Sequence, residues 1–329
     1  MVLKIQIPYR KSATPDPNPL IRSETAQALG TMKKSEKSEK LVILALIPLF
    51  KDSDESVRDA AVSAFEGIDA SAIPALIPLL KDKSGLVRSN AATALGFMTD
   101  SPNIVIPPLI PLLKDQDVSV QSNAASAIGN MGAAAKSTVP LLIPLLKDPE
   151  ESVRGVTAGA LGNMGRSAKS AIPSLLPLLK DKNNWILERA AIAISNMGES
   201  TIPLLTPLLK DPNPWARHSA AKGIGNMGIS AKSTVPLLIP LLKDTQAVVR
   251  NSTAEALGNI GPGAESAIPE LIPLLKDRDY LVRSRTAEAL GKMGETAKSA
   301  IPFLIPLLKD ENAKYNAEQS LEKLGYKMP

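Results

Sequence analysis

A phrase that returns every 30 or 33 residues limits this chain more than any single residue does. The tag PL(L/F)KD begins at Pro48, Pro78, Pro111, Pro144, Pro177, Pro207, Pro240, Pro273 and Pro306. A unit this short cannot close a core of its own, so like units must stack and bury their apolar faces against one another. The stretch AKSTVPLLIPLLKD is identical at 135–148 and 231–244, three units apart. The two short steps each lose three residues at one place, the loop before the next Ile-Pro: SNMGESTIP (195–203) stands beside IGNMGAAAKSTVP (128–140). Length changes confined to one loop indicate structural units joined by tolerant turns.

Each unit carries two helical patterns. The first reads S-A-I-P-x-L-I-P-L-L-K-D, as at 299–310. Ser299 is placed to N-cap a helix, and Pro302 falls in the first turn, where a missing N–H is tolerated. Pro306, one turn on, predicts a kink. The second pattern is V-R-S-N-A-A-T-A-L-G-F-M, as at 87–98. With Arg88 as position zero, apolar residues fall at −1, +3, +4, +7 and +10, which share one helix face at about 100° per residue. Position +6 is Ala28, Ala64, Ala94, Ala127, Ala160, Ala193, Ala256 and Ala289, a small flank that lets the next helix approach closely.

The ends differ. Residues 16–30 supply a second helix without its first-helix partner, and TMKKSEKSEK (31–40) reads as a charged loop. Residues 313–325 keep the pattern, but Glu318, Gln319, Glu322 and Lys323 make it polar. The expected organisation is an N-terminal cap and half repeat at 1–32, tandem repeats at 33–311 and a C-terminal capping helix at 312–329, in one continuous solenoid.

Tandem helix pairs of this length, with Pro in the first helix, Asp after it and V-R-x-x-A-A-x-A-L-G in the second, resemble HEAT repeats. More narrowly they resemble the short bacterial type found in phycobilin-lyase-like HEAT proteins, over residues 16–325. The resemblance implies an all-α fold: a right-handed α-solenoid of antiparallel helix pairs, a HEAT- or armadillo-like superhelix with a period of 30–33. It also implies a structural ladder between repeats from Asp and Arg spaced six apart. Those pairs are Asp52/Arg58, Asp82/Arg88, Asp148/Arg154, Asp211/Arg217, Asp244/Arg250 and Asp277/Arg283, with Asp16/Arg22 before them. A recurrent pair is a packing device, since an active site is needed once. The pattern breaks at Gln121 and Leu187, where different packing is expected.

Chemistry finds little to work with. The chain has no cysteine and one histidine, His218, so thiol catalysis and Cys-ligated metal sites are excluded. The deoxyhypusine hydroxylases, HEAT-repeat enzymes that bind iron through His-Glu pairs, are set aside because no His-Glu dipeptide occurs. No G-x-x-x-x-G-K-S/T loop occurs either. No catalytic, metal or cofactor-binding residue is expected, and no small-molecule substrate is evident. The start, MVLKIQIPYRKS, lacks a long apolar stretch, so no signal peptide is expected. The most apolar run, LVILALIPLF (41–50), is about half the ~20 residues of a membrane helix. A cytoplasmic protein without a membrane span is the expectation. A net charge of +5 over 329 residues does not mark a nucleic-acid specialist. Lys136, Lys169, Lys232 and Lys298 form a weak basic edge at most, leaving weak nucleic-acid binding as a third function.

Partners should meet the second helices. Positions −2, +1, +2, +5 and +9 point away from the buried stripe and would line the inner face. Ser89 with Thr93, Ser122 with Ser126, and Gly155 with Gly159 read as a smooth strip, open to another backbone or permitting tight curvature. Asn130, Asn163, Asn196, Asn226 and Asn259 form a row that could bond a peptide backbone, though a left-handed cap at each helix end is favoured. The chain's two tryptophans sit at −2 in adjacent units, in NNWILER (183–189) and NPWARHS (213–219). Trp185, Arg189, Ile192, Asn196, Trp215, His218, Lys222 and Asn226 form the expected partner-binding set, because Trp and Arg are enriched at binding hot spots. The alternative is that each Trp folds back over a helix start. The leading expectation is a non-catalytic scaffold for an unidentified protein partner on the concave face. The resemblance offers an alternative, an accessory subunit in a phycobilin lyase-like system for bilin attachment or removal. Aromatics at 3% of the chain supply little for a bilin pocket.

Overall fold

The computed structural model describes residues 16–32 and 36–327. Residues 1–15, read above for a leader and as part of the N-terminal cap, lie outside the described residues, as do 33–35 of the charged stretch and the last two of the C-terminal cap. Every regular element among the described residues is helical. The second-helix patterns become α1 (Pro19–Thr31), α2 (Glu55–Ser63), α3 (Gly85–Leu95), α4 (Val118–Asn130), α5 (Glu151–Asn163), α6 (Asn184–Asn196), α7 (Pro214–Asn226), α8 (Ala247–Ile260), α9 (Tyr280–Met293) and α10 (Lys314–Lys323). The chain forms two compact units, residues 1–127 and 128–329.

The first helix of each pair is not one kinked α-helix. Ile301–Leu304 is an α turn and Ile305–Lys309 is 3-10 helix, and the same split recurs at Ile202–Leu205 and Thr206–Lys210. The second Pro lacks the N–H an α-helix needs at that point, so the backbone tightens to the i→i+3 pattern. The Asp that ends each element closes it: Asp310 N–H donates to Leu307 C=O at 3.0 Å, and Asp148 N–H to Leu145 C=O at 3.2 Å. The Ser cap does not form. The 3-10 turn Gly294–Ala300 runs directly into Ile301–Leu304, with no side-chain cap bond. A preceding turn already supplies carbonyls to the first-turn N–H groups. Residues 36–40 are a second correction, being helical instead of loop, in an element spanning Glu36–Leu46. Glu and Lys are good helix formers, and LVILAL gives that helix an apolar face.

In the first unit, α1 packs on α2 and α2 on α3. Phe50 and Phe65 are fully buried there, with ring centroids 5.6 Å apart. In the second unit, each of α5 to α9 packs on the next, ending on α10. Leu142, Leu175, Leu205, Leu238, Leu271 and Leu304 of the first helices are fully buried, as are Leu161, Ile194, Ile224, Leu257 and Leu290 at +7. Each such side chain contributes roughly 1.5–3 kcal/mol of burial.

The Ala at +6 sets the helix spacing. All those named are buried except Ala28, in front of which no helix is described. Ala64, Ala127, Ala160, Ala193, Ala256 and Ala289 each meet a glycine at +8 of the preceding helix, whereas Glu66 stands there before Ala94. A Cβ on Gly258 would lie 2.7 Å from Ala289 Cα, and one on Gly129 would lie 2.5 Å from Ala160 Cα. Where α6 meets α7 the roles reverse: Ser195 stands at +8 and Gly223 at +6, and a Cβ there would be 3.4 Å from Ser195 Cβ.

Candidate partner-binding face

The Asp before most second helices accepts the N–H two residues on, and at α6 and α7 an Asn then caps the helix. Asp181 Oδ1 accepts the N–H of Asn183 at 2.9 Å, and Asn183 Oδ1 in turn N-caps α6 by accepting Trp185 N–H at 3.0 Å. Asn213 does the same for Trp215 at 3.0 Å. Side-chain capping of this kind is worth about 1 kcal/mol, and here it fixes the first turn from which each Trp projects.

The Asp and Arg residues meet across units. In the first unit, Arg22 forks onto Asp52 at 2.7 and 2.8 Å, and Arg88 onto Asp115 at 2.7 and 2.8 Å. In the second, Arg154 reaches Asp181 at 3.5 Å, and Arg217, Arg250 and Arg283 reach Asp244, Asp277 and Asp310 at 2.7 Å each. Each Arg also donates to the carbonyl of its own unit's Asp, as Arg250 does to Asp244 C=O at 2.8 Å. One guanidinium thus ties a helix start to its own loop and to the next. The guanidinium beside each carboxylate holds Asp52, Asp115 and Asp310 below the usual range. Burial raises Asp277 and Asp244, but the Arg bonds outweigh it and the net direction is down. Two rungs differ. Arg58 donates only to the carbonyls of Asp52 and Ser53, and Asp82 is taken by Lys51 at 2.8 Å. Leu187 replaces Arg in α6 and is buried, and Gln121 donates to Leu113 C=O at 3.1 Å.

The small-residue strip is not open at +1. Ser89 is buried and accepts from Asn123 Nδ2 at 2.7 Å, and Ser122 is buried too. Gly155 is buried under the Trp185 ring, so close that a Cβ there would overlap it. Asn123 and Trp185, each from the following helix, lean back over Ser89 and Gly155. The left-handed cap for Asn is also replaced: positive φ falls on the following glycines, such as Gly165 at 55°, and on no other residue type among those described.

The predicted set separates into two groups. Asn196 and Asn226 lie at the helix C-termini, eleven residues beyond the Trp positions, or about 16 Å along the helix. There, with Asn259, Ile229 and Lys292, they line a shallow groove of about 700 Å³. Asn196 Nδ2 donates to Gly162 C=O at 3.3 Å, and Lys292 Nζ donates to Asn259 Oδ1 at 3.0 Å.

The other six cluster near the helix starts. Trp185 and Trp215 are each 38% exposed, and Arg189 is exposed. The Arg189 guanidinium carbon sits 5.6 Å from the Trp185 ring centre, within cation–π range. Trp215 meets His218 edge-on, with centroids 5.3 Å apart. Lys222 Nζ contacts Glu188 Oε1 at 2.6 Å, and His218 Nε2 lies 3.9 Å from the same oxygen. His218 Nδ1 lies 3.4 Å from Val248 C=O, so this imidazole touches three successive helices. Ile192, on α6, is half-buried. The nearby His218 ring and the Lys222 ammonium lower the Glu188 carboxyl to about 2 against its burial. Glu188 was missed in the sequence. Its signal was register alone, since +1 of one helix faces +5 of the next. Among the described residues no group of three or more His, Asp or Glu is placed to hold a metal, and no helix is long and apolar enough to cross a membrane.

The model of HEAT repeats matches residues 43–104, 106–195, 202–272 and 235–325, most of the chain. The chain belongs to the HEAT-repeat family. Solved HEAT-type structures similar to it include Kap121p bound to Pho4p, 16% identical, with a TM-score of 0.54 over 94% of this chain and 40% of that one. Kap121p bound to the extreme C-terminus of the phosphatase Cdc14p is 15% identical, with a TM-score of 0.55 over 94% of this chain and 41% of that one. The HEAT chain described here thus spans about two fifths of Kap121p, and the likeness concerns the fold. An engineered protein matches at 22% identity over 95% of this chain and 97% of its own, with a TM-score of 0.43. No curated protein matches the sequence.

Proposed function

We propose that this HEAT-repeat protein is a non-catalytic scaffold that binds a protein partner through the starts of α6 and α7. The observation that carries this reading is the exposed Trp185–Arg189–Trp215 cluster. Among the described residues, it is the place on the lining helices where large aromatic side chains coincide with a guanidinium that has no carboxylate partner, the composition of binding hot spots. The similar Kap121p structures hold protein partners, which supports the class of function and names no partner for this chain. In the same reading, residues 1–32 and 312–329 cap the repeats at 33–311, and the protein acts in the cytoplasm. The Asp–Arg ladder is structural.

Trp185→Ala combined with Trp215→Ala is expected to abolish partner capture from a lysate of the native host while the helical circular dichroism and melting cooperativity survive. Normal capture by the double variant sinks the reading. An accessory role in bilin attachment rests only on the likeness to phycobilin-lyase-like proteins. An absorbance shift on mixing with free bilin would support it.

A further inference from the structure

We infer that the Trp185–Trp215 pair receives an acidic polyproline-II segment of its partner, with apolar side chains three residues apart and a carboxylate beside them for Arg189. This rests on the scaffold reading above and names the chemistry it would take.

Charge points to an acidic segment. On the lining positions of α5 to α9, Lys222 pairs with Glu188 at 2.6 Å. Arg285 pairs with Glu288 at 2.6 Å and with Glu255 at 3.9 Å, and Lys292 pairs with Glu288 at 2.8 Å. Arg189 is the charged side chain there with no carboxylate among the described residues. Its planar fork matches a carboxylate with two parallel bonds. The cluster's own carboxylate, Glu188, is already engaged by Lys222 and His218, so it does not compete.

Hydrogen bonding points to a backbone rich in free acceptors. Among the described residues, neither indole N–H of Trp185 and Trp215 has an acceptor, and the Arg189 donors have none. The surface therefore offers donors. A polyproline-II chain has no internal hydrogen bonds, so its carbonyls are free, and each proline removes an N–H that would be stranded against these donors.

Spacing separates this conformation from a β-strand. The two Trp residues hold the same position on adjacent helices, whose axes lie about 8–10 Å apart. In polyproline II, every third residue returns to the same face after about 9.3 Å. Same-face residues of a strand recur after about 6.6–6.8 Å and would fall out of step. Trp185 is also held in place before binding, because its ring rests on the Gly155 backbone. A pre-set aromatic platform meeting a pre-extended chain loses little conformational entropy.

The two tryptophans are the only ones in the chain, so intrinsic fluorescence of the full-length protein reads this site directly. The probe is a tryptophan-free peptide of four Pro-Glu-Leu triplets, titrated beside its Pro-Lys-Leu and Gly-Glu-Leu counterparts. A saturable emission shift is expected with the Pro-Glu-Leu peptide, at least about tenfold tighter than with the lysine peptide. Arg189→Glu should reverse that preference, and Arg189→Gln should weaken the Glu peptide without a new preference. The glycine peptide should bind more weakly than the proline one. No saturable shift, equal binding of the lysine peptide, or tighter binding of a single-stranded DNA 12-mer overturns the inference. If the peptide fails while the double Trp variant still loses its captured partner, only the chemistry of the segment is wrong. If that variant captures normally, the site itself is wrong.

Discussion

Arg250 and Arg189 are the same side chain in opposite situations. Arg250 is buried, forks onto Asp277 at 2.7 and 2.8 Å and donates to the carbonyls of Asp244 and Thr245. Arg189 is exposed, bonds to none of the described residues and lies against Trp185. The first recurs from unit to unit; the second occurs in the helix where the ladder residue is Leu187. In α6 the cation has moved from position zero to +2, from the edge between units to the lining face. Asp211 of the next unit is left with the Asn213 N–H at 2.8 Å and no Arg fork. The lesson is that repetition marks what holds the stack together, and its interruption marks where a side chain is left available.

The largest expected effect comes from breaking the ladder. Arg250→Ala should cost about 3 kcal/mol in urea unfolding, because it strands the Asp277 carboxylate. Arg58→Ala, which removes no carboxylate partner, should cost less than half as much. Equal losses would erase the distinction between rungs. Next is the helix spacing. Gly258→Ala places a Cβ against the Ala289 backbone and should lower stability by about 2 kcal/mol, read by thermal unfolding.

A smaller effect separates the cluster from the ladder by pH. Glu188 has a folded value of about 2 against an ordinary 4.5, so it stabilises the folded state above about pH 4.5 and loses that contribution as pH falls toward 2. Discounted for partial exposure, this amounts to about 1–2 kcal/mol. Glu188→Gln should flatten that part of the acid-stability curve; an unchanged curve would mean that Glu188 is not clamped. The smallest effect is Arg189→Ala, expected within about 0.5 kcal/mol of the parent. A loss as large as that of Arg250→Ala would make Arg189 a structural residue and remove the contrast.

Much of the fold was legible because the repeat states it again and again. The helix pairs, the buried +7 stripe and the Ala at +6 follow from periodicity, which depends only on helix geometry. The Asp and Arg residues were visible as a recurrent pair, but not that Arg58 lacks its carboxylate while Lys51 takes Asp82. The arrangement of the candidate set was half legible. Both tryptophans and Arg189 could be placed on one face by register. The separation of Asn196 and Asn226 from them follows from helix rise and could have been computed. The covering of Gly155 by Trp185, and of Ser89 by Asn123, could not, because it depends on how far the next helix's side chains lean back.

The sequence by itself determined that like units stack, which face of each second helix is buried, and which helix breaks the pattern. These are properties of single elements, fixed by local periodicity and by Pro, Gly and Asp chemistry. Tertiary structure decided the change to 3-10 helix being tolerated in every unit, the partner of each guanidinium, the burial of the small residues at +1 and the clamp on Glu188. Those depend on distances between helices about 30 residues apart in the chain, and no pattern within one helix encodes them.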